Sequence, residues 1–151
     1  MYHSWGSQNA WLRQIRGKNA LYVPTKVWAE HGFSDGDYAR LTSKDGTIVV
    51  PVAHMAALNP NTVWTWNAIG KRKAAWALDE AATEATEGFL LNHLISERLE
   101  GKTGLSNSDP VTGQAAWFDL RVKIENVGPQ AASEPGFGPG PRVVPKGGDR
   151  A

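Results

Sequence analysis

The feature that most constrains the fold of this chain is a β-hairpin signal in its first third. Two runs rich in β-forming residues, Tyr38 to Ser43 and Thr47 to His54, are separated by Lys44-Asp45-Gly46. Asp-Gly favours a tight turn between antiparallel strands because glycine adopts the positive φ that such turns require. The sequence therefore predicts a hairpin at this position.

Other elements are predicted from shorter signals on either side of the hairpin. A proline before a short run and a glycine after it mark the ends of a helix, and clusters of Gly, Pro, Asn and Asp mark turns. The predicted elements are a surface loop or extended segment through Arg16, a strand at Ala20 to Val23, a helix at Thr25 to His31 closed by Gly32, turns at Ser34 to Asp37 and Leu58 to Asn61, and a strand at Thr62 to Asn67 with Trp64 and Trp66 on one face.

The second half of the chain predicts one helix and one strand before a tail. Apolar residues recur at helical spacing from Thr83 to Arg98. Asp109 to Gln114 is predicted to form a turn that the Asp109 side chain can cap. Ala115 to Glu125 mostly alternates apolar with charged residues, as a final strand does. From Gly128 to Ala151, 11 of the 24 residues are Gly or Pro, and too few apolar groups remain to offset the entropy of ordering. The sequence thus predicts a domain at residues 1–127 and a disordered tail at residues 128–151.

Composition excludes several classes of function. The chain has 151 residues, of which 41% are hydrophobic, so one domain can form its own core. It has no cysteine, which excludes disulfides, iron-sulfur ligands and thiolate metal sites from this segment. Its net charge of +1 supplies no overall attraction to nucleic acid or anionic lipid. No run approaches the roughly 18 apolar residues of a membrane helix, so neither nucleic acid nor direct membrane insertion is predicted.

The first residues form the motif richest in hydrogen-bonding groups. His3 to Trp11 places hydroxyl, imidazole and amide groups between two indoles. Such a segment can hydrogen-bond the edges of a heterocycle while the indoles cover its faces. The alternative is an N-terminal strand that caps a barrel and buries the two tryptophans. Because the chain opens abruptly on this motif, we expect it to be a piece cut from a larger protein.

Other candidate groups are more ambiguous. Two basic clusters, Arg13 to Lys18 and Lys71 to Lys73, could contact phosphate. The preferred explanation for both is a solvated basic edge that discourages strand pairing. The four histidines include no pair at i and i+3 or i+4, so no metal site is predicted. Ser7 has no identifiable base and is expected to donate a hydrogen bond, so no catalytic residue is predicted.

Taken in order, these motifs resemble the molybdopterin-dinucleotide-binding domain that closes the catalytic subunit in the dimethyl-sulfoxide-reductase superfamily. The Gly-x-x-x-Gly-Asp turn from Gly32 to Asp37 and its hairpin also resemble one half of a six-stranded double-psi β-barrel, the fold of that family and of aspartate decarboxylase. The decarboxylase resemblance explains neither the Trp-rich opening nor the helix predicted at Thr83 to Arg98. The matching stretches, which span roughly residues 2–126, are His3 to Trp11, Val23-Pro24, Gly32 to Leu41, the hairpin to Val52, Leu58 to Thr62, Asn92 to Ile95 and Asp109 to Gln114.

The resemblance implies a mainly β domain, a six-stranded double-psi barrel of the aspartate-decarboxylase type with a few short helices. It would hold a molybdopterin guanine dinucleotide but catalyse nothing alone. In such enzymes molybdenum or tungsten carries the redox change, and this chain would supply no metal ligand and would fix the ends of the cofactor. The residues expected to face a pterin or its phosphates are His3, Ser4, Trp5, Ser7, Gln8 and Asn9, those lining the same groove are Asn67 and Lys71, and those binding the second nucleotide are Asn92, His93 and Gln114.

The resemblance also bears on substrate, partners and location. The stretch from Trp64 to Arg72 is most similar to members that act on sulfur compounds, such as sulfite dehydrogenase and the large subunits of thiosulfate and polysulfide reductases. The implied partners are the N-terminal catalytic domains of the same parent chain and an iron-sulfur electron-transfer subunit. A cytoplasmic location is expected, with a periplasmic parent enzyme as the alternative.

Two other classes of function stay open on the residues alone. A stand-alone barrel enzyme of the decarboxylase or hydrolase type would use Ser7 or a histidine. A nucleic-acid or interaction module would use Trp64, Trp66 and Lys71 to Lys73 as a stacking and phosphate-binding face. The near-neutral charge balance argues against the second of these classes.

Overall fold

The computed structural model describes residues 10–15, 18–66, 88–95, 108–114 and 120–129. This part of the chain is mainly β with a few short helices, as the sequence predicts. In chain order its elements are helix α1 at Ala10–Ile15, strand β1 at Leu21–Val23, helix α2 at Thr25–Glu30, strand β2 at Asp37–Thr42, strand β3 at Thr47–His54, a 3₁₀ helix at Leu91–Leu94 and strand β4 at Lys123–Pro129.

The predicted hairpin is confirmed and forms the middle of a four-stranded sheet within the described residues. β2 and β3 are antiparallel, with Thr42 opposite Thr47 and Tyr38 opposite Pro51. β4 pairs antiparallel with the other side of β2, and β1 lies parallel to β3. The strand order is therefore β1-β3-β2-β4. The remaining strands of a six-stranded double-psi barrel stay a prediction.

Alternating side chains of β2 and β3 build the core. Ala39 in β2 and Val50 in β3, which are paired in the ladder, are both fully buried. Every second residue of each strand faces the same way because a strand has a period of two. The remaining buried members of this core are Leu21, Val23, Phe33, Leu41, Ile48, Val52, Phe89 and Leu94.

Charged residues lie along the exposed side of β2 and β4. Arg40 is opposite Glu125 in the ladder, and their side chains are 3.5 Å apart. The ammonium of Lys123 is 2.7 Å from the Glu125 carboxylate. The hydrogen bond and charge of Lys123, followed by those of Arg40, hold the pKa of Glu125 below its ordinary value. Exposed pairs of this kind contribute little stability, but their charge discourages pairing with another chain.

Helix α2 is closed by Gly32, as predicted. Gly32 has a φ of 61°, and its N–H donates to the carbonyl of Ala29 at 3.2 Å. The next N–H, of Phe33, donates to the carbonyl of Trp28 at 3.0 Å. These two bonds form a Schellman motif. Its usual apolar contact is the Trp28–Phe33 ring pair, with centroids 5.6 Å apart.

Three predicted elements are wrong in type or position. Residues 10–15 form a helix rather than a loop or extended segment. Residues 62–66 are not a strand, since a single β-bridge joins Tyr22 to Trp64. Residues 120–122 are irregular, and the last strand runs from Lys123 to Pro129 rather than from Ala115 to Glu125. Local periodicity fails for such short segments because tertiary contacts decide which of them pair.

The helix predicted from Thr83 to Arg98 is wrong over its described part, residues 88–95. Leu90 and Ile95 have extended backbones, and the 3₁₀ helix lies between them. Phe89 and Leu94 are both buried in the core, five residues apart in the chain. Burial of these two side chains outweighs the modest helix preference of the local sequence.

Several predictions fall on parts of the chain that the structure does not describe. Residues 1–9 and 130–151 are outside the described ranges, so the proposed ligand motif at the start and the disordered tail stay predictions. Among the described helices, none is long and apolar enough to cross a membrane.

Candidate functional site

The predicted cofactor-binding residues divide into two groups. Asn92, His93 and Gln114 lie in the described ranges. The others lie outside them, and their places stay predictions; they are His3, Ser4, Trp5, Ser7, Gln8, Asn9, Asn67 and Lys71.

Asn92 and His93 lie together on the 3₁₀ helix, and both side chains are exposed. Leu94 anchors the helix to the core, because its side chain is fully buried there. Neither polar side chain makes a hydrogen bond to another described residue, so the amide and imidazole groups are available to a ligand. The 3₁₀ helix thus presents an adjacent amide and imidazole at the protein surface.

The 3₁₀ helix is tied to the hairpin by a buried serine. Ser43 directly follows β2 and is 9% exposed. Its hydroxyl donates to the carbonyl of Leu94 at 2.7 Å, and it accepts from the N–H groups of Asp45 at 3.0 Å and Gly46 at 3.2 Å. One side chain therefore satisfies groups in the hairpin turn and at the end of the 3₁₀ helix.

Gln114 lies in a tight turn that Asp109 organises. One carboxylate oxygen of Asp109 accepts from the N–H groups of Val111 at 3.0 Å and Thr112 at 2.7 Å, and from the Thr112 hydroxyl at 3.0 Å. The N–H of Asp109 donates to the carbonyl of Gln114 at 2.8 Å, which closes the turn. The bonds from Thr112, followed by that from Val111, lower the pKa of Asp109. The predicted turn is confirmed, and the Gln114 side chain is exposed.

Hydrogen bonds within the described part of the chain do not link all three described candidates. Asn92 and His93 are neighbours in the chain, but no hydrogen bond between described residues joins Gln114 to either of them. The hydrogen bonds that organise the turn lie within residues 109–114. The turn and the 3₁₀ helix are therefore organised separately.

The Trp-rich segment after the hairpin is fixed by Asn19, which is 3% exposed. The Asn19 amide donates to the carbonyl of Trp66 at 3.0 Å, and its oxygen accepts from the Thr65 hydroxyl at 3.1 Å. Trp64 and Trp66 pack edge to face with centroids 4.8 Å apart. This arrangement places both indoles on one side of the segment, as the sequence predicts.

The two indoles line an open pocket of about 250 Å³ together with Tyr22, Met55 and Leu58. The lining is largely apolar, and none of the three described ligand candidates belongs to it. A nucleotide needs several hydrogen-bond donors and acceptors, which this pocket does not offer. Its described lining suits an apolar group rather than a nucleotide.

Sequence reasoning missed the residues that hold these segments in place. Within the described part of the chain, the buried polar residues are Asn19, Asp37 and Ser43. Asp37 accepts from the N–H of Ser34 at 2.8 Å and from the amide of Asn126 at 3.2 Å. Asn19 lies just before β1, Asp37 begins β2 and Ser43 follows β2. Their position at a strand boundary is the one signal in the sequence that points to them.

The described candidate residues offer hydrogen-bonding groups at the surface. These groups are the amides of Asn92 and Gln114 and the imidazole of His93. In the described ranges, no group of three or more His, Asp or Glu side chains is placed to hold a metal ion. The arrangement therefore fits recognition of a polar ligand by hydrogen bonds.

Comparison with known proteins gives an informative similarity. A protein of Allochromatium vinosum, the A subunit of its sulfite dehydrogenase, is 51% identical to this chain over 148 residues. The match covers 95% of this chain but 15% of the Allochromatium protein, so the chain is similar to one segment and spans a small part of the relative's length. No family model matches the chain, and no solved structure matches it.

Proposed function

We propose that this chain is the molybdopterin guanine dinucleotide-binding module of an oxidoreductase that acts on a sulfur compound such as sulfite. The observation that carries the proposal is the 51% identity, over nearly the whole chain, to one segment of a sulfite dehydrogenase subunit. At that identity the two segments share a fold. The redox reaction would require the rest of a parent enzyme.

The described surface fits a binding role. Asn92 and His93 are exposed on a short helix whose Leu94 is buried. Gln114 is exposed on a turn that the hydrogen bond from the Asp109 N–H to the Gln114 carbonyl closes. An amide offers both donors and acceptors, and an imidazole offers one of each or two donors. Guanine presents donors and acceptors along one edge, so a pair of amides and an imidazole match its chemistry.

The cofactor would be held from two sides. Asn92, His93 and Gln114 would bind the guanine nucleotide, and the residues from His3 to Asn9, with Asn67 and Lys71, would bind the pterin and its phosphates. When bound, the cofactor supplies the redox-active molybdenum or tungsten. The chain itself would bind and orient the nucleotide ends, and its four described strands would belong to a six-stranded double-psi barrel.

The proposed partners follow from the length of the relative. The match covers 15% of a protein that is itself named as a subunit, so we propose a longer parent chain with at least one partner protein. The other domains of the parent chain would complete the cofactor site, and an iron-sulfur subunit would carry the electrons away.

The experiment that tests the proposal is a titration of the isotope-labelled 151-residue chain with GDP, followed by backbone amide chemical shifts. We expect saturable shifts at Asn92, His93 and Gln114, with weak affinity because half of the site lies in other domains. A parallel titration with ADP should give weaker binding, since guanine can make more hydrogen bonds along one edge than adenine can. Equal shifts with GDP and ADP would mean that these residues bind the phosphates and do not recognise the base.

Matched variants sharpen the test. Asn92→Ala and Gln114→Ala each remove one exposed amide and should each weaken GDP binding several-fold. Asn59→Ala removes an exposed amide from the turn after β3, outside the predicted site, and should leave the affinity unchanged. No shift at millimolar GDP, or equal effects of all three substitutions, would contradict the proposed site.

A further inference from the structure

Ser43 uses its full hydrogen-bonding capacity on two segments that are distant in the sequence. A hydroxyl has one donor and two acceptor sites. The donor serves Leu94 at 2.7 Å, and the acceptors serve the N–H groups of Asp45 and Gly46. The Gly46 carbonyl lies at 3.5 Å, the limit for a hydrogen bond, so the shorter bond to Leu94 takes the proton. The Ser43 and Leu94 positions are 51 residues apart.

The carbonyl that Ser43 binds belongs to the end of the 3₁₀ helix. The last carbonyls of a helix have no partner inside it. Leu94 is fully buried, and the bond between its carbonyl and Ser43 is itself buried, so water does not offer a substitute. A buried carbonyl without a partner is costly. Ser43 therefore supplies the partner that this buried carbonyl requires.

The 3₁₀ helix has little stability of its own. It has four residues, and the two backbone bonds at its ends are long, at 3.5 Å from His93 to Leu90 and 3.3 Å from Ile95 to Asn92. Such short turns depend on tertiary contacts. The buried Leu94 side chain fixes the depth of the turn in the core. The bond to its carbonyl restrains rotation of the turn about that side chain.

We propose that Ser43 is a positioning residue of the nucleotide site, which sets the direction of the Asn92 and His93 side chains through the Leu94 carbonyl. The inference rests on the proposed function for its ligand, but the positioning itself can be measured without one. Ser43 would not touch the nucleotide. Its removal would let the 3₁₀ helix rotate or fray and would misplace the two groups that bind guanine.

The test compares Ser43→Ala with Thr47→Val in the full 151-residue chain. The Thr47 hydroxyl donates to that of Thr42 at 3.2 Å in the same hairpin, but it makes no described bond to the 3₁₀ helix. Both variants lose one hydroxyl from the hairpin, but only Ser43→Ala loses a bond to the 3₁₀ helix. The free energy of unfolding of each variant is measured in parallel, so that a general loss of stability is separated from a local effect on the helix. Ser43→Thr keeps the hydroxyl and should restore the wild-type behaviour.

Two readouts are required, namely the GDP dissociation constant and the amide exchange of His93, Leu94 and Ile95 without ligand. We expect Ser43→Ala to raise the dissociation constant about tenfold and to accelerate exchange at these amides by a similar factor. Thr47→Val should change neither by more than about twofold. Wild-type affinity in Ser43→Ala, or the same loss in Thr47→Val, would overturn the positioning role.

The proposed function and the positioning role can fail separately. If the wild-type chain does not bind GDP, the proposed function fails. The positioning role is then decided by the side-chain resonances of Asn92 and His93, which Ser43→Ala should move and Thr47→Val should not. If Ser43→Ala does not fold, Ser43→Cys takes its place, because the thiol has a similar shape and is a weak donor. Unchanged resonances and exchange in that variant would overturn the inference.

Discussion

Asn126 in β4 links three parts of the fold, and replacing it with alanine should be among the most destabilising changes of a surface amide in this chain. Its amide nitrogen donates to the Asp37 carboxylate at 3.2 Å and lies 3.3 and 3.1 Å from the carbonyls of His31 and Gly32. Its oxygen accepts from the N–H of Gly128 at 2.8 Å. The side chain therefore joins the last strand to the end of α2 and to the start of β2.

The magnitude follows from which of these bonds water can replace. The contacts to the His31 and Gly32 carbonyls are exposed, so their loss costs little. Asp37 is 8% exposed, and a hydrogen bond to a buried charged group is worth about 1.5–3 kcal/mol. The partly buried bond to Gly128 adds about 1 kcal/mol. Asn126→Ala should therefore lower the free energy of unfolding by about 3 kcal/mol, which corresponds to a fall in Tm on the order of 10 °C.

Urea denaturation followed by tryptophan fluorescence gives the required free energies. Asn59→Ala is the matched control, since the Asn59 side chain accepts one exposed bond, from the N–H of Asn61 at 3.0 Å. That control should lose less than about 1 kcal/mol. The reasoning is refuted if Asn126→Ala costs no more than Asn59→Ala.

Three further predictions concern other parts of the fold. Gly32→Ala should cost about 1–2 kcal/mol by the same denaturation assay, because the φ of 61° strains a side chain although no atom lies within 4 Å of the new Cβ; an unchanged midpoint would contradict this. Leu41→Ala should cost about 2–5 kcal/mol, since Leu41 is 1% exposed in the core; a loss below about 1 kcal/mol would show that the core collapses around the site. The lowered pKa of Asp109 stabilises its turn at pH values above the ordinary value of 3.8, and this contribution is lost as the pH falls through the lowered pKa. Amide protection at Val111 and Thr112 should therefore decrease in acid, and Asp109→Asn should remove that dependence.

Short sequence signals predicted the elements whose hydrogen bonds join residues close together in the chain. The hairpin follows from two alternating strands on either side of a short polar segment, and the end of α2 follows from Gly32. The positive φ expected at Gly46 is wrong, and the hairpin turn is organised instead by the Ser43 hydroxyl, which accepts from the N–H groups of Asp45 and Gly46. The Asp109 turn is of the same kind, since its bonds lie within residues 109–114. These features would form in a similar way in any compact fold.

The sequence could not predict features that depend on distant partners. The apolar spacing around Phe89 and Leu94 suits a helix, but their burial against the sheet and the bond from Ser43 stabilise a 3₁₀ turn instead. The partners of the buried polar side chains lie 47, 51 and 89 residues away in the chain. A residue such as Asn19 or Ser43 is an ordinary loop residue by composition, and its role becomes visible only when the segments are brought together.

The separate construction of the two described parts of the site gives a way to show that they bind one ligand. Ser43 holds the 3₁₀ helix with Asn92 and His93, whereas Asp109 holds the turn with Gln114, and no described hydrogen bond connects the two devices. Without ligand, the effects of Ser43→Ala and Asp109→Ala on stability should therefore add, as they do for independent sites. If one GDP molecule contacts both parts, removing either the Ser43 bond or the Asp109 turn already lowers the binding free energy that the two parts share. The two substitutions should then be non-additive in GDP affinity while they stay additive in stability. Additivity in both measurements would mean that the helix and the turn do not share a nucleotide.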